Sequence, residues 1–247
     1  MVKVAELAST YRGLRCVIVG GQGGVGSAVA DQLCSLGARV VSASRRGEND
    51  WIAPAQGELV MARLDLTDPD SIAAFTVRTG QALGAIELLV CSGGVSRQAG
   101  LEALDDATID AVFSSNAMGP LRLIRDCSGL LRAGTDPVVV NVSSVAARTG
   151  QGSNIAYCGA KAAMDAMMTG LAKQLAPAVR TVSVAPSALE TPFAQGRGAD
   201  FIERTIGMTP LGRLASLEEV ATAILLAARG LSFTTGVPIF VDGGRHL

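Results

Sequence analysis

Val17-Ile18-Val19-Gly20-Gly21-Gln22-Gly23-Gly24-Val25-Gly26, followed by Ser27-Ala28-Val29-Ala30-Asp31-Gln32-Leu33, decides the fold of this 247-residue chain. Val17 to Val19 read as a buried strand, the glycines as a tight turn, and the spacing beyond Gly26 as a helix. Strand, turn and helix in that order make a site for a dinucleotide. Gly20 can turn sharply, Gly24 beside Val25 lets a pyrophosphate approach the backbone, and Gly26 lets the helix pack on the strand. The helix N-terminus favours the negative charge. In a chain with 29 glycines the pattern by itself also fits a βα turn that binds nothing.

Working outward, β-branched runs recur at Cys16–Val19, Arg39–Ala43, Leu59–Leu64, Ile86–Cys91, Pro137–Val142, Thr181–Ala185 and Pro238–Val241. Val138-Val139-Val140 is apolar on both faces, which suits a central parallel strand covered on each side. Helical spacing fills the gaps. Asp68-Pro69 marks a capped start with proline at the first helical position, and Ser216-Leu217-Glu218-Glu219 fits a capping box. The pattern predicts an α/β fold: a Rossmann-type, doubly wound, seven-stranded parallel sheet with helices on both faces. No linker or repeat divides the chain, so a single domain over 1–247 is expected. The irregular stretch 187–212 is expected to act as a lid over a site.

Composition narrows the function. With 21 basic and 22 acidic side chains and no basic block, nucleic acid is not the expected partner. Apolar residues at 49% and charged residues at 17% exclude a disordered chain. The longest charge-free stretch, Cys16 to Ala30, is broken by glycines and falls short of the roughly 20 apolar residues of a membrane span. The first 15 residues lack the apolar run of a signal peptide, so a cytoplasmic location is expected. Cys16, Cys34, Cys91, Cys127 and Cys158 form no C-x-x-C pair and read as reduced residues, not a metal site. His246 is the one histidine, which removes a Ser-His-Asp triad and a His-based metal centre.

The end of the second strand bears on the choice of dinucleotide. An acid there would hold the ribose hydroxyls of NAD, whereas arginine suits the 2′-phosphate of NADP. Ser44-Arg45-Arg46 offers a hydroxyl and two guanidiniums, with no acid before Glu48, so NADP(H) is expected in preference to NAD(H). A solvated basic loop is the plainer alternative.

Tyr157-Cys158-Gly159-Ala160-Lys161 places a phenol and an amine four residues apart, on one helix face. With two tyrosines and three lysines in the chain, chance produces this spacing about 2% of the time. A surface lysine lying along a tyrosine would look the same. Chemically the pair has a use: an ammonium stabilises phenolate and draws its pKa down from about 10. Tyr157 could then pass a proton to a carbonyl oxygen as hydride reaches carbon. Ser144 closes the strand Val138–Val142, where α/β sheets place ligands, and could hold the same oxygen.

With these residues in place, the chain from Leu14 to Leu247 resembles the short-chain dehydrogenase/reductase family in its single-domain form. Gly20, Gly24 and Gly26 match the family's G-x-x-x-G-x-G turn, and Asp65-Leu66 the acidic position that holds the adenine. Asn116, Ser144, Tyr157 and Lys161 match its catalytic tetrad in order, and Pro186, Thr191 and Val241-Asp242-Gly243-Gly244 fall at its later landmarks. The resemblance implies that Lys161 also binds the nicotinamide ribose, that Asn116 holds a water relaying protons to Lys161, and that the region of Thr191 contacts the carboxamide. It implies a homodimer or homotetramer as well. The chain departs from the family at Val19, at Cys91-Ser92-Gly93-Gly94, which stands where N-N-A-G is usual and lines the cofactor floor, and at Ser187 after Pro186.

The expectation is an NADP-dependent ketone reductase or secondary-alcohol dehydrogenase acting on a small carbonyl substrate, a 3-oxoacyl thioester or polyketide-like ketone among the compatible ones. A silent NADP(H) sensor or scaffold, and an epimerase or dehydratase with transient hydride transfer, remain as alternatives. Cys158 reads as a buried filler, Met164, Met167 and Met168 as core or subunit contact, and Arg97 and Arg148 as a solvated rim that an anionic substrate could meet.

Overall fold

The computed structural model describes residues 4–190 and 198–247, with the side chains of residues 4 and 5 left aside. Seven strands form one sheet: β1 (Arg15–Val19), β2 (Arg39–Ser44), β3 (Leu59–Arg63), β4 (Leu88–Cys91), β5 (Val138–Val142), β6 (Arg180–Pro186) and β7 (Pro238–Val241). Their spatial order is β3-β2-β1-β4-β5-β6-β7, and every neighbouring pair is parallel. The order reverses between β1 and β4. In an open α/β sheet a ligand crevice forms there, beyond the carboxyl ends of the strands.

Residue alternation assigns each strand side chain to one of two cores. Val17, Val19, Val41, Leu89, Cys91 and Val139 face a cluster that includes Ile72 and Phe75 of α2 (Pro69–Leu83) and Met164 and Met168 of α7 (Ile155–Leu175). Cys16, Ile18, Val40, Leu88, Val90 and Val140 face Val29 and Leu33 of α1 (Gly24–Ser35) and Val220 and Ile224 of α9 (Leu217–Leu225). Each large apolar side chain taken out of water contributes roughly 1.5–3 kcal/mol, so the two-sided apolar runs hold the sheet central. The other α-helices among the described residues are α3 (Asp106–Phe113), α4 (Gly119–Asp126), α5 (Ser128–Arg132), α6 (Ala146–Thr149) and α8 (Ala199–Gly207).

The expected helix starts are present. The Asp68 carboxylate accepts from the Asp70 N–H at 2.9 Å, and Ser216 and Glu219 form both hydrogen bonds of the capping box. The fourth strand begins at Leu88, two residues later than expected. Glu87, just before it, accepts hydrogen bonds from the Arg15 backbone and guanidinium. The 187–212 segment also differs from expectation: α8 occupies residues 199–207. It turns Thr205 into the protein and leaves Asp200, Glu203 and Arg204 exposed.

Candidate active site

The glycine turn joins β1 to α1 with contacts that leave no room for side chains. Gly20 has φ +78°, and a Cβ there would lie 2.6 Å from the Gly93 nitrogen; one on Gly26 would lie 2.3 Å from the Gly20 carbonyl oxygen. The departures in the next glycine run are built into the same floor. The Ser92 hydroxyl donates to the Val19 carbonyl at 2.7 Å, tying the end of β4 to the end of β1. A Cβ on Gly94 would meet the Asn116 Oδ1 at 2.2 Å.

Above this floor runs a groove with three consecutive hollows. The first, about 250 Å³, is bordered by Gly20, Ser44, Arg45, Asp65, Leu66, Ser92, Gly93 and Gly94. The second, about 210 Å³, shares Ser92, Gly93 and Gly94 and adds Val25, Asn116, Ser144, Tyr157, Lys161 and Pro186. The third, about 580 Å³, shares Ser144 and Tyr157 and opens between α8 and the loop before α7. Most of the expected cofactor residues, and all four of the tetrad positions, therefore lie along one continuous surface. Gly24 and Gly26 shape the turn without lining a hollow. Arg46 is exposed beside it, its N–H bonded to the Ser44 hydroxyl at 3.2 Å. Thr191 lies outside the described residues.

The two ends of the groove differ in construction. At the outer end, burial pushes the Asp65 carboxyl up. The Thr67 N–H and hydroxyl, with Arg45 and Arg63, outweigh it and hold Asp65 below the usual carboxylate range. Arg63 was not foreseen. It ends β3 opposite Ser44 and donates to the Arg45 carbonyl at 3.2 Å, so a third guanidinium joins Arg45 and Arg46. Parallel register, invisible in a linear scan, puts it there.

At the inner end, helix α7 is fixed by a cap that the sequence scan overlooked. Asn154 accepts from the Tyr157 N–H at 2.7 Å and donates its amide to the Arg97 carbonyl at 2.7 Å. The preference of asparagine for the N-cap position would have found it. One turn into the helix, the Lys161 ammonium lies 5.7 Å from the Tyr157 ring centre and donates to the Val142 carbonyl at 2.7 Å. Burial lowers Lys161 to about 8, with Asp165 acting to raise it. Asp165, also unforeseen, accepts from the Ser143 hydroxyl at 2.7 Å. Its own carboxyl is pushed up by burial against the pull of Ser143, Ser183 and Lys161.

Asn116 sits in a π-helical turn, Ser114–Met118, between α3 and α4. Such turns widen a helix by one residue and recur at functional sites. Its amide donates to the Val112 carbonyl at 3.0 Å and the Val95 carbonyl at 2.8 Å. This leaves Oδ1 against Gly94. Tyr157 departs from expectation in one respect. Burial pushes its phenol up, the Ser144 hydroxyl pulls it down, and Lys161 is not among the groups that move it. Desolvation of the buried phenolate outweighs the Ser144 hydrogen bond.

Cys158 is buried, and that burial pushes its thiol up; a Cβ on Gly152 would lie 2.8 Å from its sulfur. Met164 and Met168 are core residues, with Met167 packed against them. Neither Arg97 nor Arg148 lines the largest hollow; Arg204 and Arg245 do. Among the described residues, no helix is long and apolar enough to cross a membrane.

Comparisons with known proteins agree with this architecture. The family model described as Enoyl-(Acyl carrier protein) reductase matches residues 19–246. The chain is 33% identical over 235 residues to cis-4-hydroxycyclohexanecarboxylate dehydrogenase of Sinomonas cyclohexanicum, spanning 92% of this chain and 94% of that one. It is 31% identical over 236 residues to the 3-oxoacyl-(acyl-carrier-protein) reductase of Thermotoga maritima, spanning 93% and 96%. Among solved structures, the ligand-free aldohexose dehydrogenase of Thermoplasma acidophilum superimposes with a TM-score of 0.87 at 24% identity, over 96% of this chain and 95% of that one. The chain belongs to the short-chain dehydrogenase/reductase family and is an oxidoreductase of that family.

Proposed function

We propose that the protein is an NADP(H)-dependent oxidoreductase that interconverts a ketone and a secondary alcohol, working in the direction of ketone reduction. The observation that carries the reading is the continuity of the groove: Arg45 lines its outer hollow, and Asn116, Ser144, Tyr157 and Lys161 line its inner one. The bare glycine floor, where a Cβ on Gly20 or Gly94 would collide with its neighbours, suits a dinucleotide laid against backbone. Gly20, Gly93 and Gly94 would carry it, Asp65 and Leu66 would meet its adenine, and Ser44, Arg45 and Arg46 its 2′-phosphate. Pro186 and Thr191 would flank the nicotinamide. When bound, that ring supplies or accepts the hydride.

The chain's own groups do the rest. The Ser144 hydroxyl holds the substrate oxygen, and Tyr157 Oη gives it a proton. Burial keeps this phenol in its protonated form, the form that can give a proton to the substrate oxygen. Lys161, anchored on the Val142 carbonyl, would hold the nicotinamide ribose, and its ammonium, 5.7 Å from the Tyr157 ring centre, would face the phenolate as it forms. Asn116 keeps a water in line with Lys161 for reprotonation. The substrate class is a 3-oxoacyl thioester, a polyketide-like ketone or a ring ketone. This reading draws support from two relatives, one named for a 3-oxoacyl carrier-protein thioester and one for a cyclic hydroxy acid. We further propose one domain over residues 1–247 with a lid at 187–212, a homodimer or homotetramer, and a cytoplasmic location.

The test is oxidation of NADPH and of NADH against a broad ketone panel. Turnover with NADPH well above NADH supports the reading. Tight NADPH binding without turnover anywhere on the panel points to a sensor or scaffold.

A further inference from the structure

Among the described residues, the 580 Å³ hollow beside Tyr157 is lined by two guanidiniums and no acid. Arg204 and Arg245 line it, together with Ser144 and Tyr157, and no Asp, Glu or Lys does. In a chain whose formal charge is −1, this is a local excess of positive charge.

Among the described residues, neither arginine forms an ion pair. Arg204 is exposed on α8 and forms no ion pair among the described residues, although Asp200 lies one turn before it on the same helix. Arg245 is half-buried and donates one N–H to the Thr205 carbonyl at 3.0 Å, which places its guanidinium against the same helix. Asp242 is the acid that acts on Arg245, and burial acts against it. The Asp242 oxygens are already engaged by the Gly244 and His246 N–H groups and the His246 ring. Thr205, also lining the hollow, has a buried hydroxyl with no partner among the described residues. Val145, Leu189 and Phe201 supply apolar wall between these groups and the phenol end.

We propose that this cavity selects a ketone or secondary alcohol bearing an oxoanion away from the reacting carbon, and that Arg204 and Arg245 hold that oxoanion. The proposal rests on the redox reading of Tyr157 given above. The oxoanion is either the carboxylate of a small oxo acid or the phosphate of a pantetheine arm; both meet a guanidinium fork through charge-assisted hydrogen bonds.

The experiment measures kcat/KM with NADPH for two matched pairs. One is 4-oxocyclohexanecarboxylate and its methyl ester; the other is acetoacetyl-4′-phosphopantetheine and acetoacetyl-pantetheine. A preference of about ten- to a hundredfold for the charged member is expected in one pair, and the pair that shows it identifies the source. Arg204→Gln with Arg245→Gln should bring the two members close to parity, mostly through KM of the charged one. Arg204→Gln alone, at an exposed position that folding does not need, should cut the preference about threefold or more by the same reasoning. Equal kcat/KM within both pairs, or a preference that these variants leave intact, overturns the proposal.

Calorimetric titration of cyclohexanecarboxylate against cyclohexanecarboxamide, and of 4′-phosphopantetheine against pantetheine, separates the two readings. Arginine-dependent binding of the anion without reduction of any ketone sinks the redox reading and leaves the anion site standing. Reduction of ketones without any charge preference does the reverse.

Discussion

The two ends of the groove solve different problems with different materials. The outer end carries exposed arginines: Arg45, Arg46 and Arg63 stand on loop and strand ends in water. The inner end is set by buried groups, each anchored before any ligand arrives. Lys161 is bound to the Val142 carbonyl, Asn116 to Val95 and Val112, and Tyr157 sits in a turn capped by Asn154. An exposed charge is cheap to hold but screened by salt. A buried one is costly, and its pKa shows the cost. Under the proposed function, affinity and cofactor choice would therefore change by surface substitution at one end, while the chemistry at the other would depend on packing.

The largest effect should come from adding one methyl group at the inner end. Gly94→Ala drives a Cβ to 2.2 Å from Asn116 Oδ1, so either Asn116 leaves its two carbonyl partners or the floor shifts. Turnover should fall about a hundredfold or more, since small misplacements in a preorganised site cost on that order, and NADPH binding should weaken with it. Activity near that of the unaltered protein would show that the inner end is softer than its geometry says.

A second effect exposes the cost of burying Lys161. Its folded pKa is about 8, below the ordinary 10.5, so the folded chain releases this proton before the unfolded chain does. Between those values the unfolded state binds more protons, and stability rises with pH. Relative to Lys161→Met, the unaltered protein should therefore gain roughly 1–3 kcal/mol of unfolding free energy as pH rises from 7 to 10. The lost bond to Val142 adds an offset that does not depend on pH. Denaturant melts of both proteins across that range provide the check, and parallel curves would refute the buried cation.

The smallest effect belongs to the outer end. Replacing Arg45 and Arg46 by Ala should weaken NADPH about tenfold and leave NADH nearly unchanged. Raising the salt concentration should shrink the difference. Equal losses for both cofactors would mean that these arginines do not read the 2′-phosphate.

At both ends of the groove, linear spacing reaches the residues that share one element and misses those that tertiary contact brings in. Tyr157 and Lys161 lie one helical turn apart, so linear spacing already places them on one face, and the apolar run ending at Val142 marks where the strand stops. Arg63 comes next to Arg45 through parallel pairing of β2 with β3, a register that no local pattern encodes. Asp165 lay within reach, one turn beyond Lys161, but its use depends on Ser143 on a different element. Arg204 and Arg245 share a hollow because α8 forms and the C-terminal turn packs against Thr205. Gly198 just before it, Gly207 as its last residue and the helix's short length hid α8 within a stretch that reads as irregular. Burial, too, is a property of the assembled core, which explains how the phenol could sit above its ordinary pKa when the adjacent amine alone predicts the opposite.

The most direct trial of the account is Tyr157→Phe, which removes one oxygen and leaves the packing of the ring. The dissociation constant for NADPH and kcat for a reduced ketone should be measured on the same preparation. The account predicts NADPH affinity within about twofold of the unaltered protein and kcat lower by about a thousandfold or more, the scale set by loss of a positioned acid. A variant that binds NADPH and still turns over at a comparable rate would contradict it, because the proton would then come from elsewhere.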